Sequence, residues 1–320
     1  MQTYKSRLTG RWFHLVVMLL ASALGAWGQS AYVANLQGNN VSVINRLTNS
    51  ITALIPVAGA PAGLKITPDG SSIYVVSQSV NHVVVISTAS KSIVATIGVG
   101  TAPVQVAISP NGALAYVVNQ GSNNVSVIHT ATRTVAATIP VGSRPYGIAF
   151  TPDSSHALVT NHYGGTVSVI NTSLNKVTAT WTAGSGPSGV AVSPDGTTVY
   201  VTNSYANSVN VYSLAYGSLL KTITGFSFPN AVAVAPNGSK VYVTNGNSQS
   251  VSVVSASSKS VIASVRVGLL PTAVAVSPDS STAYVTNAYS YSVSVINTAT
   301  ELVTATISRV GIYPCSLALH

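Results

Sequence analysis

Side chains able to transfer protons or act as nucleophiles are few and scattered in this chain of 320 residues. The carboxylates are Asp69, Asp153, Asp195, Asp279 and Glu301, the imidazoles are His14, His82, His129, His156, His162 and His320, and the sole thiol is Cys315. Paired carboxylates would support acid–base hydrolysis, and a His/Cys/carboxylate cluster would hold a metal. No HxH or HExxH spacing occurs and the CxxCH haem signature is absent, so no metal, no cofactor and no catalytic residue is expected. One cysteine allows no internal disulfide, and with no base to pair it with, Cys315 is expected to be a half-buried structural thiol.

What must position these residues is a repeat. YVTN or a near copy recurs with its aromatic position at Tyr32, Tyr74, Tyr116, Leu158, Tyr200, Tyr242 and Tyr284, a step of 42 residues. Each unit divides into four short strands: one following the prolines at 61, 103, 145, 187, 229 and 271, the YVTN segment, a VSVI-like run, and a fourth such as Val135 to Val141. Turns such as Ser109-Pro110-Asn111-Gly112 link the first two, proline presetting the first turn position and glycine relieving the last. Four antiparallel strands per 42 residues make one propeller blade. Pro314 continues the step one residue late, which predicts a bulge near Ser308 and Arg309. The chain after Pro314 supplies a first strand, and the segment at Tyr32 lacks one. The expected fold is therefore all-β, a single seven-bladed propeller over 29–320, closed by the C-terminal strand joining the N-terminal blade.

Residues 1–28 read as a secretory signal peptide. Lys5, Arg7 and Arg11 precede an apolar run from Trp12 to Leu24, with small residues at Ala26 and Gly28. The run is short for a bilayer span, so no membrane span is expected after cleavage, and the protein is expected to be exported to the periplasm, the cell surface or the medium as a monomer. Of the 14 Lys and Arg, 11 follow residue 28, against 5 acids, for a net charge near +6.

The copies at Tyr200, Tyr242 and Tyr284, each with a PDG-like turn before and a VSV-like strand after, resemble the YVTN-repeat family of β-propellers found in extracytoplasmic and surface-layer proteins of bacteria and archaea. The resemblance covers everything after the signal segment. It implies a neighbourhood of lactonase-like propellers, quinoprotein-like propellers and the haem d1 domain of nitrite reductases.

The period also places the side chains on the blades. Asp69, Asp153, Asp195 and Asp279 fall in the turn between strands one and two and Glu301 between strands three and four, all on one face, the bottom. Arg46, Lys91, Arg133, Lys176 and Lys259 ring the same face; with no dense cluster and no aromatic interleaving, they read as solvated rim charges in preference to a nucleic-acid surface. Lys65 stands where the other first strands carry Ala107, Ala149, Ala191, Ala233, Ala275 and Ala318, and is expected to reach the solvent of the central channel.

The opposite, top face has no carboxylate but gathers irregular aromatic and amide residues. Loops after the YVTN segments contribute His162, Tyr163, Tyr205, Tyr289 and Tyr291; loops between blades contribute Gln105, Arg144, Tyr146, Phe228, Asn230 and Tyr313. Tyrosine offers contact area with a polar end, and Arg an anion or stacking contact. From this the expected function is a non-catalytic binding scaffold for a protein or polysaccharide ligand at the cell envelope. The alternatives are a structural cell-surface protein and a lactonase-like or quinoprotein-like enzyme.

Overall fold

The computed structural model describes residues 29–320; the expected signal peptide, 1–28, lies outside them. Twenty-eight strands, β1 to β28 in chain order, form seven four-stranded sheets among these residues. The closing sheet is ordered β28 (Pro314–Leu319), β1 (Ser30–Asn35), β2 (Asn40–Asn45), β3 (Ser50–Pro56), with β28 antiparallel to β1. The ring thus closes as the two chain fragments imply. No helix among the described residues is long and apolar enough to cross a membrane.

The late proline is absorbed differently from the expectation. Strand β27 (Leu302–Ser308) stays paired through Ser308, and the extra residue enters the loop to β28, where Arg309, Gly311 and Tyr313 all take positive φ. A loop accepts one more residue without breaking ladder hydrogen bonds, which a bulge would cost.

Each hydrophobic cluster lies between two blades, not within one. Val41 and Val43 of the first blade pack on Leu64, Ile66, Val75 and Ile86 of the second. The YVTN motif explains itself in these contacts. Its tyrosine is buried, and its hydroxyl reaches onward to a later turn: Tyr74 to the Thr130 carbonyl, Tyr116 to Asn175 Oδ1, Tyr242 to Glu301 Oε1. Its threonine joins strands across the blade boundary. Thr160 Oγ1 accepts from Gly147 N at 2.8 Å and donates to the Ser188 carbonyl of the next blade at 2.6 Å. Its asparagine is buried and donates to serines of the third strand, as Asn161 Nδ2 does to Ser168 Oγ at 2.9 Å. A buried amide without such partners would cost about 1–3 kcal/mol.

The inner strands are β4 (Pro61–Ile66), β8 (Pro103–Ile108), β12 (Pro145–Phe150), β16 (Pro187–Val192), β20 (Pro229–Val234), β24 (Pro271–Val276) and β28. They stand round the channel. At Gly147 a Cβ would collide with the Ser188 carbonyl, so glycine permits the close approach of β12 to β16.

The carboxylates serve the bottom turns. Asp153 Oδ1 accepts from Thr151 Oγ1 at 2.5 Å and from Ser155 N at 3.0 Å. Asp69, Asp195 and Asp279 repeat the arrangement, and Asn111 and Asn237 make neutral versions of it. Glu301 forms an ion pair with Lys240, Nζ to Oε1 2.5 Å, between the last two blades before closure.

Candidate functional site at the mouth of the channel

Two rings of residues build the top of the channel. One is the residue after each inner-strand proline: Ala62, Val104, Tyr146, Ser188, Asn230, Thr272 and Cys315. The other follows the YVTN asparagine position and includes Leu36, Gln78, Gln120, His162 and Ser204. Both rings line a cavity of about 390 Å³ that opens at the top face.

The loops carrying these rings are laced together. The residue before each proline has positive φ, including Arg144 (49°), Phe228 (52°) and Tyr313 (60°). Its amide donates to an asparagine one blade back, as Arg144 N does to Asn123 Oδ1 at 2.8 Å, and its carbonyl accepts from the loop after YVTN, as Arg144 O does from His162 N at 2.9 Å. Left-handed backbone held from both sides gives these side chains a fixed origin.

Of the eleven residues assigned to the top face from sequence, Gln105, Tyr146, His162, Phe228, Asn230 and Tyr313 line the mouth cavity. Arg144, Tyr163 and Tyr205 form its outer rim: the Arg144 guanidinium lies 4.8 Å from the Tyr163 ring centroid, and the His162 ring lies 5.6 Å from Tyr163 and 5.0 Å from Tyr205. Tyr205 in turn meets Phe228 at 6.0 Å, and Tyr289 reaches the mouth through Tyr313 at 5.7 Å. Tyr291 is exposed and not brought to the cavity. The cavity also uses Cys315, expected only as a structural thiol, and Gln78, Gln120, Ser188, Thr272 and Ser316, which do not stand out in the sequence. Their residue types are ordinary for a sheet; only their offsets from the repeated proline and asparagine would have found them.

His162 is the titratable centre of the mouth. Its Nδ1 lies 3.2 Å from the Pro187 carbonyl oxygen, which can only accept, so Nδ1 carries the proton and Nε2 presents a lone pair. Burial first, then the nearby Arg144 cation, hold its pKa below the ordinary imidazole value, outweighing the carbonyl hydrogen bond. Tyr146 lies 6.0 Å from His162, ring to ring. Enclosure by the channel wall pushes its hydroxyl up to about 12, with a side-chain hydrogen bond to Asn230 opposing, so it stays a proton donor at neutral pH. The neighbouring Cys315 thiol is also raised to about 12 by desolvation, and its Sγ sits 3.2 Å from the Ala62 carbonyl, so it is a half-buried neutral thiol and not a nucleophile. Among the described residues no group of three or more His, Cys, Asp or Glu could hold a metal ion.

The mouth therefore offers a neutral imidazole base, a phenol donor, several amides and one rim cation. That set can activate water against a polarised carbonyl and stabilise the resulting oxyanion.

Solved structures with this architecture include hydrazine synthase of Kuenenia stuttgartiensis (TM-score 0.80, 22% identity, covering 85% of this chain and 93% of that one). Putative 6-phosphogluconolactonases of Bacteroides uniformis (TM-score 0.78, 16% identity, 91% and 99% covered) and Bacteroides fragilis (TM-score 0.77, 16% identity, 91% and 97% covered) are also similar. At these identities the likeness is one of fold. No curated protein matches the sequence. The model of the family described as lactonase, 7-bladed β-propeller, matches residues 28–138 and 130–262. That match overturns the expectation of a non-catalytic scaffold. The expectation leaned on the missing top-face carboxylates, but ester hydrolysis requires one base of suitable pKa, and an imidazole held neutral meets the requirement. By this match over most of its length, the chain belongs to the lactonase family of seven-bladed β-propellers.

Proposed function

We propose that the protein is a lactone hydrolase whose reaction takes place at the mouth of the channel. Family membership carries this reading, and the geometry around His162 supplies a mechanism for it. Neutral Nε2 of His162 takes a proton from water as its oxygen attacks the lactone carbonyl carbon. The oxyanion that forms is stabilised by Tyr146 Oη–H and by the amide N–H groups that Gln105 and Asn230 bring to the cavity. The ring C–O bond then breaks, the imidazolium returns its proton to the departing alkoxide, and an open hydroxy acid is released. Arg144 at the rim attracts anionic substrates and adds to the burial that lowers the His162 pKa.

Within the family, the copies of YVTN support a place among the YVTN-repeat propellers, and the basic then apolar segment within 1–28 supports action after export. The N-terminal residue of protein recovered outside the cytoplasm tests the latter.

The decisive assay is hydrolysis of a lactone series that includes gluconolactone and its 6-phosphate. Turnover by the wild type, reduced about 10²–10⁴-fold in His162→Ala, would support the mechanism. Absence of turnover on every five- and six-membered lactone tried would sink the reading.

A further inference from the structure

Beneath the mouth the channel continues as a second cavity of about 200 Å³, room for about six or seven waters. The two spaces are continuous, since Gln105, Tyr146, Ser188, Asn230, Thr272 and Cys315 line both. Lys65 is the only charged residue lining the lower cavity. None of the six alanines at the same register lines it. Lys65 is exposed to the solvent of the channel, as its register implied, and among the described residues its ammonium makes no hydrogen bond or ion pair.

Nothing nearby compensates that charge. The strands packed against β4 are β1, β5 (Ser72–Ser77), β8 and β28. Their titratable side chains are Tyr32, Tyr74 and Cys315, with Tyr146 across the lumen, and none is a carboxylate. A lone cation on the channel wall, at a register where alanine serves six other blades, gives the lumen a positive potential that attracts anions.

We infer that the lower channel is an oxyanion subsite, in which Lys65 holds a carboxylate or phosphate group of a ligand whose other end lies at the mouth. A ligand that extends from the mouth into the lumen passes Tyr146 and Asn230, which line both spaces, so the subsite selects such molecules by length as well as charge. It selects against neutral ligands, which would leave the ammonium desolvated and unmatched. The subsite stands whether or not the mouth hydrolyses lactones.

The test is isothermal titration of the protein with gluconate and, separately, inorganic phosphate. Saturable binding of either anion, weakened at least about tenfold by Lys65→Ala and left within about threefold by Lys91→Ala on the outer rim, is the expected result. The probe that binds identifies the group as carboxylate or phosphate. Lys65→Ala restores the residue of the six other blades and so should fold, with a thermal midpoint close to that of the wild type; Lys65→Met repeats the test with the stem retained. Equal binding to wild type and both variants, or no saturable binding of either anion, would overturn the assignment. Anion binding that depends on Lys65 in a protein without lactone turnover would leave this subsite standing and remove only the hydrolase reading.

Discussion

The Nδ1 of His162 lies 3.2 Å from the carbonyl oxygen of Pro187, so the imidazole of one blade is fixed by the first residue of the next blade's inner strand. Blade packing and site chemistry are thereby the same interaction. The contact sets the tautomer, and the enclosure that comes with it sets the pKa.

The first prediction concerns pH. A base whose pKa is depressed is in its active form above that pKa, so lactone turnover should rise along a limb centred below 6.5 and be flat by neutral pH. Burial and the Arg144 charge both push in that direction. Replacing Arg144 by Gln removes the cation and should move the limb upward while weakening binding of anionic lactones. A pH–rate profile of the two proteins checks this, and a limb that stays in place in Arg144→Gln would exclude Arg144 as a tuning group.

The second concerns the threonine of YVTN. Thr202 Oγ1 accepts from Gly189 N at 2.7 Å and donates to the Asn230 carbonyl at 2.6 Å, wholly buried. Thr202→Val keeps the shape, removes the acceptor of the Gly189 amide and leaves the Asn230 carbonyl with only the Ser188 Oγ donor at 3.1 Å, which should cost about 1–3 kcal/mol in denaturant unfolding. Because Asn230 lines the mouth, the variant should also lose lactone turnover beyond what its stability explains. Loss of stability with turnover per folded molecule intact would show that the clamp does not hold the site.

Much of this was legible in the sequence because a strict period converts position into place. The offset from Tyr200 or Tyr242 assigns each residue to a strand and a face, and the confinement of Asp69, Asp153, Asp195 and Asp279 to bottom turns follows from it. The extra residue before Pro314 was not placed correctly, since a one-residue lag is compatible with a bulge or a longer loop and only the pairing through Ser308 distinguishes them. At the site, large aromatics announced themselves, whereas Ser188, Thr272 and Ser316 have residue types found on any strand. Function was misread for a related reason: counting carboxylates on the top face said nothing of a histidine whose partner, Pro187, lies 25 residues away.

A third prediction addresses the ion pair between the last blades. Lys240 Nζ meets Glu301 Oε1 at 2.5 Å and the Thr298 carbonyl at 2.6 Å, while Glu301 Oε2 is buried without a partner. Both side chains are mostly covered, so removing one leaves the other's charge poorly solvated. Lys240→Met and Glu301→Gln should each destabilise, and the double variant should be less destabilised than the sum of the singles by about 1 kcal/mol or more. A strictly additive cycle would mean that solvent screens the pair.

The last prediction uses controls that the repeat itself provides. Four bottom turns carry aspartate, and hydrogen bonds from Thr or Ser hydroxyls and from backbone N–H groups hold those carboxyls below their usual range, to about 2 at Asp153 and Asp279. A carboxyl whose folded pKa is depressed adds stability that is present above the unfolded value, near 3.8, and lost as pH falls through the folded one. The thermal midpoint should therefore decline between about pH 4 and pH 2 as these turns protonate, with each exposed turn adding a small step. Asn111 occupies the same turn position with the same acceptor geometry and no charge, its Oδ1 accepting from Ser109 Oγ at 2.7 Å and from Ala113 N at 3.1 Å, and Asn237 keeps the backbone half of it, accepting from Ser239 N at 3.0 Å. Asp153→Asn and Asp279→Asn should thus fold, be slightly less stable than the wild type at neutral pH, approach it near pH 2, and so show a shallower acid decline, most clearly when combined. An unchanged acid slope in the combined variant would locate the acid sensitivity elsewhere, with the Lys240–Glu301 pair the next group to test.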